Sequence, residues 1–292
     1  MPKEVPSSSN NPLRYYSQVA LSFTSVKVGL LLAKQPVQVV QTCKQAAPDS
    51  KNATIIADIY KNSGITGFYK STWTSILKIC VAESYRGILT IEVPKLVRSR
   101  LPEDWSKSYP TRTTLTTSAI AVPIISLIDA GVSCPLQRMS TIQMTVNEKH
   151  SLIDIYRKFI KGNAVSALYR GYTPLFLQTS LLWGNFFVVD DLLKQALQKQ
   201  FHEISYSGLA ATSVIGGTIQ TCLNVVPDTI RVQMQKPGSA TLSMRTIVRQ
   251  LVQQHGLSSL FSAVPHKLIG GIIGYSYRSM LRHFWTVQEN KS

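Results

Sequence analysis

A chain of 292 residues with 44% apolar and only 16% charged residues has too little charge for an ordinary soluble surface and too little unbroken apolar sequence for a plain lipid-facing bundle. Its 31 Lys and Arg against 15 Asp and Glu give +16, which attracts phosphate-bearing partners without choosing among nucleic acid, lipid and soluble anions. Mean hydropathy near zero suits membrane helices that surround something polar.

Residues 1–12 read as a polar tail with neither an Arg-rich amphipathic leader nor a signal-peptide core. Residues 15–40 form the first candidate span, interrupted by Lys27 near its middle and by Lys34 near its end, where a lysine can snorkel. The span runs into a polar foot that starts at Pro36 and carries Gln38, Gln41 and Gln45. Residues 54–62 read as a short amphipathic helix, and Tyr69-Lys70 lies in the turn that follows it. The second span, 72–97, holds Lys78, Glu83 and Arg86, a set that no lipid-facing helix tolerates.

The same order then recurs. Span 114–142 contains Pro123 and Asp129 and ends in a second foot with Pro135, Gln137 and Ser140. An amphipathic stretch at 151–160, a turn at Tyr169-Arg170-Gly171 and a span at 172–189 complete that copy. The last third gives span 207–235 with a foot of Pro227, Asp228 and Arg231, then an amphipathic stretch at 242–253, a turn up to Phe261 and a span at 268–285. Prolines at 36, 135 and 227 and aromatic residues at 69, 169 and 261 keep step at intervals of about one hundred residues, the mark of an internal repeat. The expected fold is an all-α membrane protein: one domain over 13–292 with six transmembrane helices. It comprises three pseudo-symmetric repeats (about 13–107, 108–202 and 203–292), each with a short amphipathic surface helix.

Other chemistry is missing from the sequence. Cys43, Cys80, Cys134 and Cys222 never fall at metal-ligand spacing, the five histidines are scattered, and neither a phosphate-cradling P-loop nor a nucleophile elbow occurs. No enzyme activity, metal or cofactor is expected. A nucleic-acid partner rests on net charge alone, and long, nearly uncharged spans argue against it.

Three feet in register with three turns make the chain resemble the mitochondrial carrier family over nearly all of its length. In that family each odd helix ends in Pro-x-acid-x-x-base-x-base-x-Gln. Here the first copy supplies Pro36, Gln38, Gln41, Cys43 and Gln45, and the second Pro135, Gln137, Ser140, Ile142 and Met144. The third supplies Asp228, Arg231, Gln233 and Gln235, with its proline displaced by one to Pro227. The resemblance implies a pseudo-threefold bundle around a water-filled cavity that opens alternately to either side.

It also implies a matrix-side gate at the feet, where Arg231 would face Gln38 and Asp228 would face Ser140, so that hydrogen bonds replace the family's ion pairs. On the opposite side it implies a gate from Glu92 with Lys95 and Asp191 with Lys194. Substrate contacts carry over to Arg86 and Gln178-Thr179, with Lys78 where nucleotide-carrying members place a base; Lys27, Lys78 and Arg86 then form a positive wall balanced mainly by Glu83. Tyr69-Lys70 and Tyr169-Arg170-Gly171 resemble the family's cardiolipin clamps.

The reading is a monomeric transporter of an anionic metabolite, best matched by a nucleotide, in the mitochondrial inner membrane. The Gln-rich divergence leaves open a pathogen-encoded mimic sent to host mitochondria. The competing reading is a carrier-shaped scaffold, adaptor or insertion factor that does not transport.

Overall fold

Turns bearing Gly64, Gly171 and Gly256 separate long and short helices in the computed structural model, which describes residues 12–102, 110–146, 153–155, 157, 165–189, 206–237 and 242–268. The polar tail before residue 12 and the sixth span beyond residue 268 lie outside these described residues. The elements are α1 (Pro12–Ala46), α2 (Asn52–Ser63), a 3-10 turn (Ile65–Tyr69) and α3 (Thr72–Arg98). Then come α4 (Pro110–Thr145), a single turn α5 (Val165–Leu168) and α6 (Tyr172–Gly184), which continues as a π-helical turn over Asn185–Val189. The last are α7 (Tyr206–Gln235), α8 (Met244–His255) and a 3-10 turn (Leu257–Phe261). Residues 264–268 are again helical.

The feet are not separate segments. Pro36, Pro135 and Pro227 lie inside α1, α4 and α7, and each helix runs on for about two to three further turns, so the polar stripe is the end of the long helix itself. Each foot carries its surface helix on a small apolar cluster. Ile55 and Ile59 of α2 pack on Val39 and Val40, Ile155 and Leu168 on Met139, and Ile247 and Leu251 of α8 on Ile230. The i, i+4 spacing of Ile55 and Ile59 and of Ile247 and Leu251 puts each pair on one face of its helix, which is what drives docking of so short a helix.

The turns use backbone conformations that favour glycine. α2 and α8 end at Gly64 (φ 59°) and Gly256 (φ 72°). α3 and α6 begin after left-handed residues, Ser71 (φ 63°) and Gly171 (φ 83°). Ser71 thus occupies the slot that glycine fills in the next repeat, and its side chain is used there, as described below.

Among the described residues the long helices contact one another in the order α1, α3, α4, α6, α7 and back to α1, a ring closed by the α1–α7 contact. Its polarity is inverted relative to a soluble bundle. Gln35, Gln45, Gln235 and Asp129 are buried, whereas Trp73, Ile88, Leu96, Leu127, Val214 and Leu223 face outward. Such a surface is suited to lipid.

Of the six expected spans, the last lies outside the described residues. Among the described residues one helical stretch, Leu115–Thr145, is both long and apolar enough to cross a membrane by composition, its most apolar 18 residues having mean hydropathy 1.8. The other long helices dilute their apolar faces with the polar and ionic residues that they turn inward, notably Lys27, Lys78, Glu83 and Arg86.

Candidate functional site

Two ionic clusters sit inside the ring. The first lies midway along α1, α3 and α4. Lys27 of α1 pairs with Glu83 of α3 at 2.6 Å, and Arg86 of α3 stands 3.8 Å from the same carboxylate. The principal partner of Arg86 is Asp129 of α4, to which Nε donates at 3.0 Å and Nη2 at 2.7 Å. Asp129 is 1% exposed, and it also accepts from the Tyr85 hydroxyl at 2.7 Å, the Ser133 hydroxyl at 3.3 Å and the Trp183 indole at 3.3 Å. Two bases therefore meet two acids, and the positive wall expected of Lys27 and Arg86 is neutralised. Asp129 is the acid that the expected balance with Glu83 left out.

The second cluster lies at the foot of α7. The Asp228 carboxylate accepts from Arg231 through Nη2 at 2.6 Å and Nε at 3.2 Å, from Lys267 at 3.0 Å, from Gln45 at 2.9 Å and from Gln41 at 3.2 Å. Arg231 further donates to Gln235 Oε1 at 2.7 Å and to the Thr141 hydroxyl at 3.3 Å, and that hydroxyl in turn donates to Gln235 at 3.1 Å. Gln233 donates to the main-chain carbonyl of Gln45 at 2.6 Å. The C-terminal turns of α1, α4 and α7 are thereby laced together, and this end of the ring is closed.

The expected facing pairs are not formed. Asp228 meets Arg231 and Lys267 rather than Ser140, because a one-turn separation on α7 lets Arg231 fold back on Asp228 and the start of the next helix supplies Lys267. Ser140 donates instead to Ser71 Oγ at 3.1 Å, and Gln38 lines a cavity above. The ties from α1 and α4 to this acid–base cluster are hydrogen bonds, whereas its ion pairs stay within α7 and residues 264–268.

That cavity, about 290 Å³, is lined by Lys34, Gln38, Gln41, Gln137, Gln178 and Gln220, with Asn224, Asp228, Arg231, His266 and Lys267. Lys34, expected to snorkel, lies on its wall. Lys78 reaches it indirectly by donating to Gln137 Oε1 at 2.7 Å. Of the expected pair on α6, Gln178 lines the cavity, but Thr179 is buried and donates to the Leu175 carbonyl at 3.0 Å. Sequence reading missed Asn224, Gln220 and His266; an asparagine one turn before the foot acid was the available signal.

At the other end of the bundle Glu92 and Lys95 pair with each other on α3 at 3.4 Å, both well exposed, and among the described residues they bridge no helices. Asp191 and Lys194 lie outside the described residues. In the turns, Tyr69 and Tyr169 are exposed. Lys70 donates to the Val146 carbonyl at 3.3 Å, and Arg170 donates to the carbonyls of Met234 and Leu242, each at 2.8 Å. Each base thus reaches backbone at the C-terminal end of the following long helix, where the helix dipole favours a cation. Burial lowers the pKa of Arg170 there and of the nearby Lys236, and main-chain carbonyls offset that cost. Gly171 packs against the Gln235 side chain. Among the described residues no cluster of three or more His, Cys, Asp or Glu could hold a metal ion.

Residues 112–201 match the family described as mitochondrial carrier protein. The ADP,ATP carrier protein ER-ANT1 of Arabidopsis thaliana is 20% identical over 258 residues, 85% of this chain and 83% of its own. The ADP,ATP carrier protein 3 of Saccharomyces cerevisiae is 19% identical over 250 residues, 81% and 80% of the two chains. The succinate/fumarate mitochondrial transporter of the same yeast is 30% identical over 120 residues, 38% of this chain and 37% of its own.

Proposed function

From its membership of the mitochondrial carrier family, which makes this chain a carrier-type transporter and not an enzyme, we propose that it moves a small anion, best matched by a nucleotide such as ADP or ATP, by alternating access. The observation that carries this reading is the charge of the cavity wall. Arg231 and Lys267 stand against the single carboxylate of Asp228, two bases for one acid, inside a polar, amide-rich space. An anion entering it gains what the wall lacks. The similarity to ADP,ATP carriers over most of the chain supports a nucleotide over a dicarboxylate.

In this reading the protein is a monomer with six spans in three repeats, about 13–107, 108–202 and 203–292, in the mitochondrial inner membrane. Lys78 and Gln178 assist at the cavity, and the two turns hold cardiolipin phosphate at their exposed tyrosines. The foot of α7 is the gate that must part. Since α1 and α4 hold Asp228 and Arg231 by hydrogen bonds, opening breaks charge-assisted bonds worth about 1.5–3 kcal/mol each rather than ion pairs between repeats. The empty protein therefore reorients readily, and uptake does not require a counter-substrate.

Purified protein in cardiolipin-containing liposomes, offered labelled ADP, ATP, phosphate and succinate, tests both points. Uptake of a nucleotide above empty vesicles is expected, including into vesicles loaded with buffer alone. No uptake of any of the four would remove the transport reading, and strict dependence on internal nucleotide would remove the net-movement reading.

A further inference from the structure

We propose that Asn224 is a specificity-determining residue whose carboxamide oxygen takes an N–H donor of the transported anion, so that the cavity selects anions bearing an amino group over otherwise equal anions without one. This rests on reading the cavity as the transport site.

Asn224 lies on α7 one turn before Asp228, on the cavity wall, and is 5% exposed. Its Nδ2 donates to the Gln220 carbonyl at 2.8 Å, which fixes the orientation of the amide and turns its oxygen the other way. Oδ1 is buried and has no hydrogen-bond partner. The main-chain carbonyl of the same residue accepts from Lys267 at 3.0 Å, and Lys267 is bound to Asp228. Asn224 therefore lies on the cavity wall beside the bases that would hold an anion. Two more residues of the cavity wall have a buried polar atom without a partner, the acceptor Gln178 Oε1 on α6 and the ring nitrogen Nδ1 of His266.

An unpaired buried acceptor is costly, so a bound molecule that supplies the missing donor is favoured over one that cannot. Phosphate groups and dicarboxylates present acceptors to Oδ1. The exocyclic amine of an amino-purine presents N–H groups. A nucleotide with an amino-bearing base meets both demands of this wall, its phosphates facing Lys34, Arg231 and Lys267 and its amine facing the amide oxygens.

The test compares liposome uptake of ATP with that of purine riboside triphosphate, the same nucleotide without the 6-amino group. The wild-type protein should prefer ATP by about tenfold or more. Asn224→Ala should bring the ratio close to one through loss of ATP uptake, and Asn224→Asp, which keeps acceptor oxygens, should preserve the preference while lowering uptake of both. Thermal unfolding in detergent with each nucleotide gives a second reading: ATP should raise the midpoint more than its amine-free analogue in wild type, and equally with it in Asn224→Ala. Equal uptake of the two nucleotides by wild type, or a preference that survives Asn224→Ala, overturns the proposal and leaves the transporter standing. No uptake of either overturns both.

Discussion

The midplane cluster and the foot cluster are built from the same side-chain types in opposite proportion. At the midplane Lys27 and Arg86 meet Glu83 and Asp129, two bases for two acids, and the bonds cross from α1 to α3 and from α3 to α4. At the foot Arg231 and Lys267 share Asp228, two bases for one acid, and the cavity opens directly above it. A balanced cluster fixes helix positions and offers nothing to an entering ion. An unbalanced one keeps a standing attraction for an anion and holds its own geometry less tightly. Under the proposed transport reading the first cluster is structural and the second attracts the ligand, although the bases at the midplane looked in the sequence like the better site.

The harshest way to break this comparison is Asp228→Asn. It leaves Arg231 and Lys267 buried side by side without their carboxylate, and breaking such a pair costs about 3–5 kcal/mol. The unfolding midpoint in detergent should fall by many degrees; an unchanged midpoint would mean that the foot is solvated.

Asp129→Asn should cost less, about 1–3 kcal/mol, because Arg86 is partly exposed and Glu83 remains within 3.8 Å. If it proves the more damaging of the two substitutions, the midplane and not the foot is the keystone. Glu92→Gln should lie within about 0.5 kcal/mol, since it disturbs one exposed pair on a single helix. A larger loss in the same unfolding assay would show that Glu92 bridges helices after all.

Much of the element order was legible because two independent markers, the prolines and the aromatic turns, recur together. Element ends were legible to within a few residues: α2 was expected at 54–62 and runs Asn52–Ser63, and α3 at 72–97 and runs Thr72–Arg98. Side-chain pairing was not. Arg86 has Glu83 one turn away in sequence, yet its closest partner is Asp129, 43 positions away on the adjoining helix. Periodicity gives the face of a helix, but it does not give the height at which two helices meet. For the same reason Asp228 acquired Lys267, a base whose register no repeat fixed. Thr179 shows another limit: a small hydroxyl on a predicted cavity face can satisfy itself on the carbonyl one turn back and leave the cavity to its neighbour Gln178.

Gly171 adds a question of clearance. A methyl group placed on it would stand 3.1 Å from Cγ of Gln235, and its φ of 83° already disfavours any side chain. Gln235 in turn accepts from Arg231 and donates to the Arg170 carbonyl. The start of α6 thus runs against the end of α7 like a shaft in a tight bearing, with Gln235 as the surface between them. Neither part can turn far without displacing that one side chain, and whatever loosens it loosens Arg231 as well.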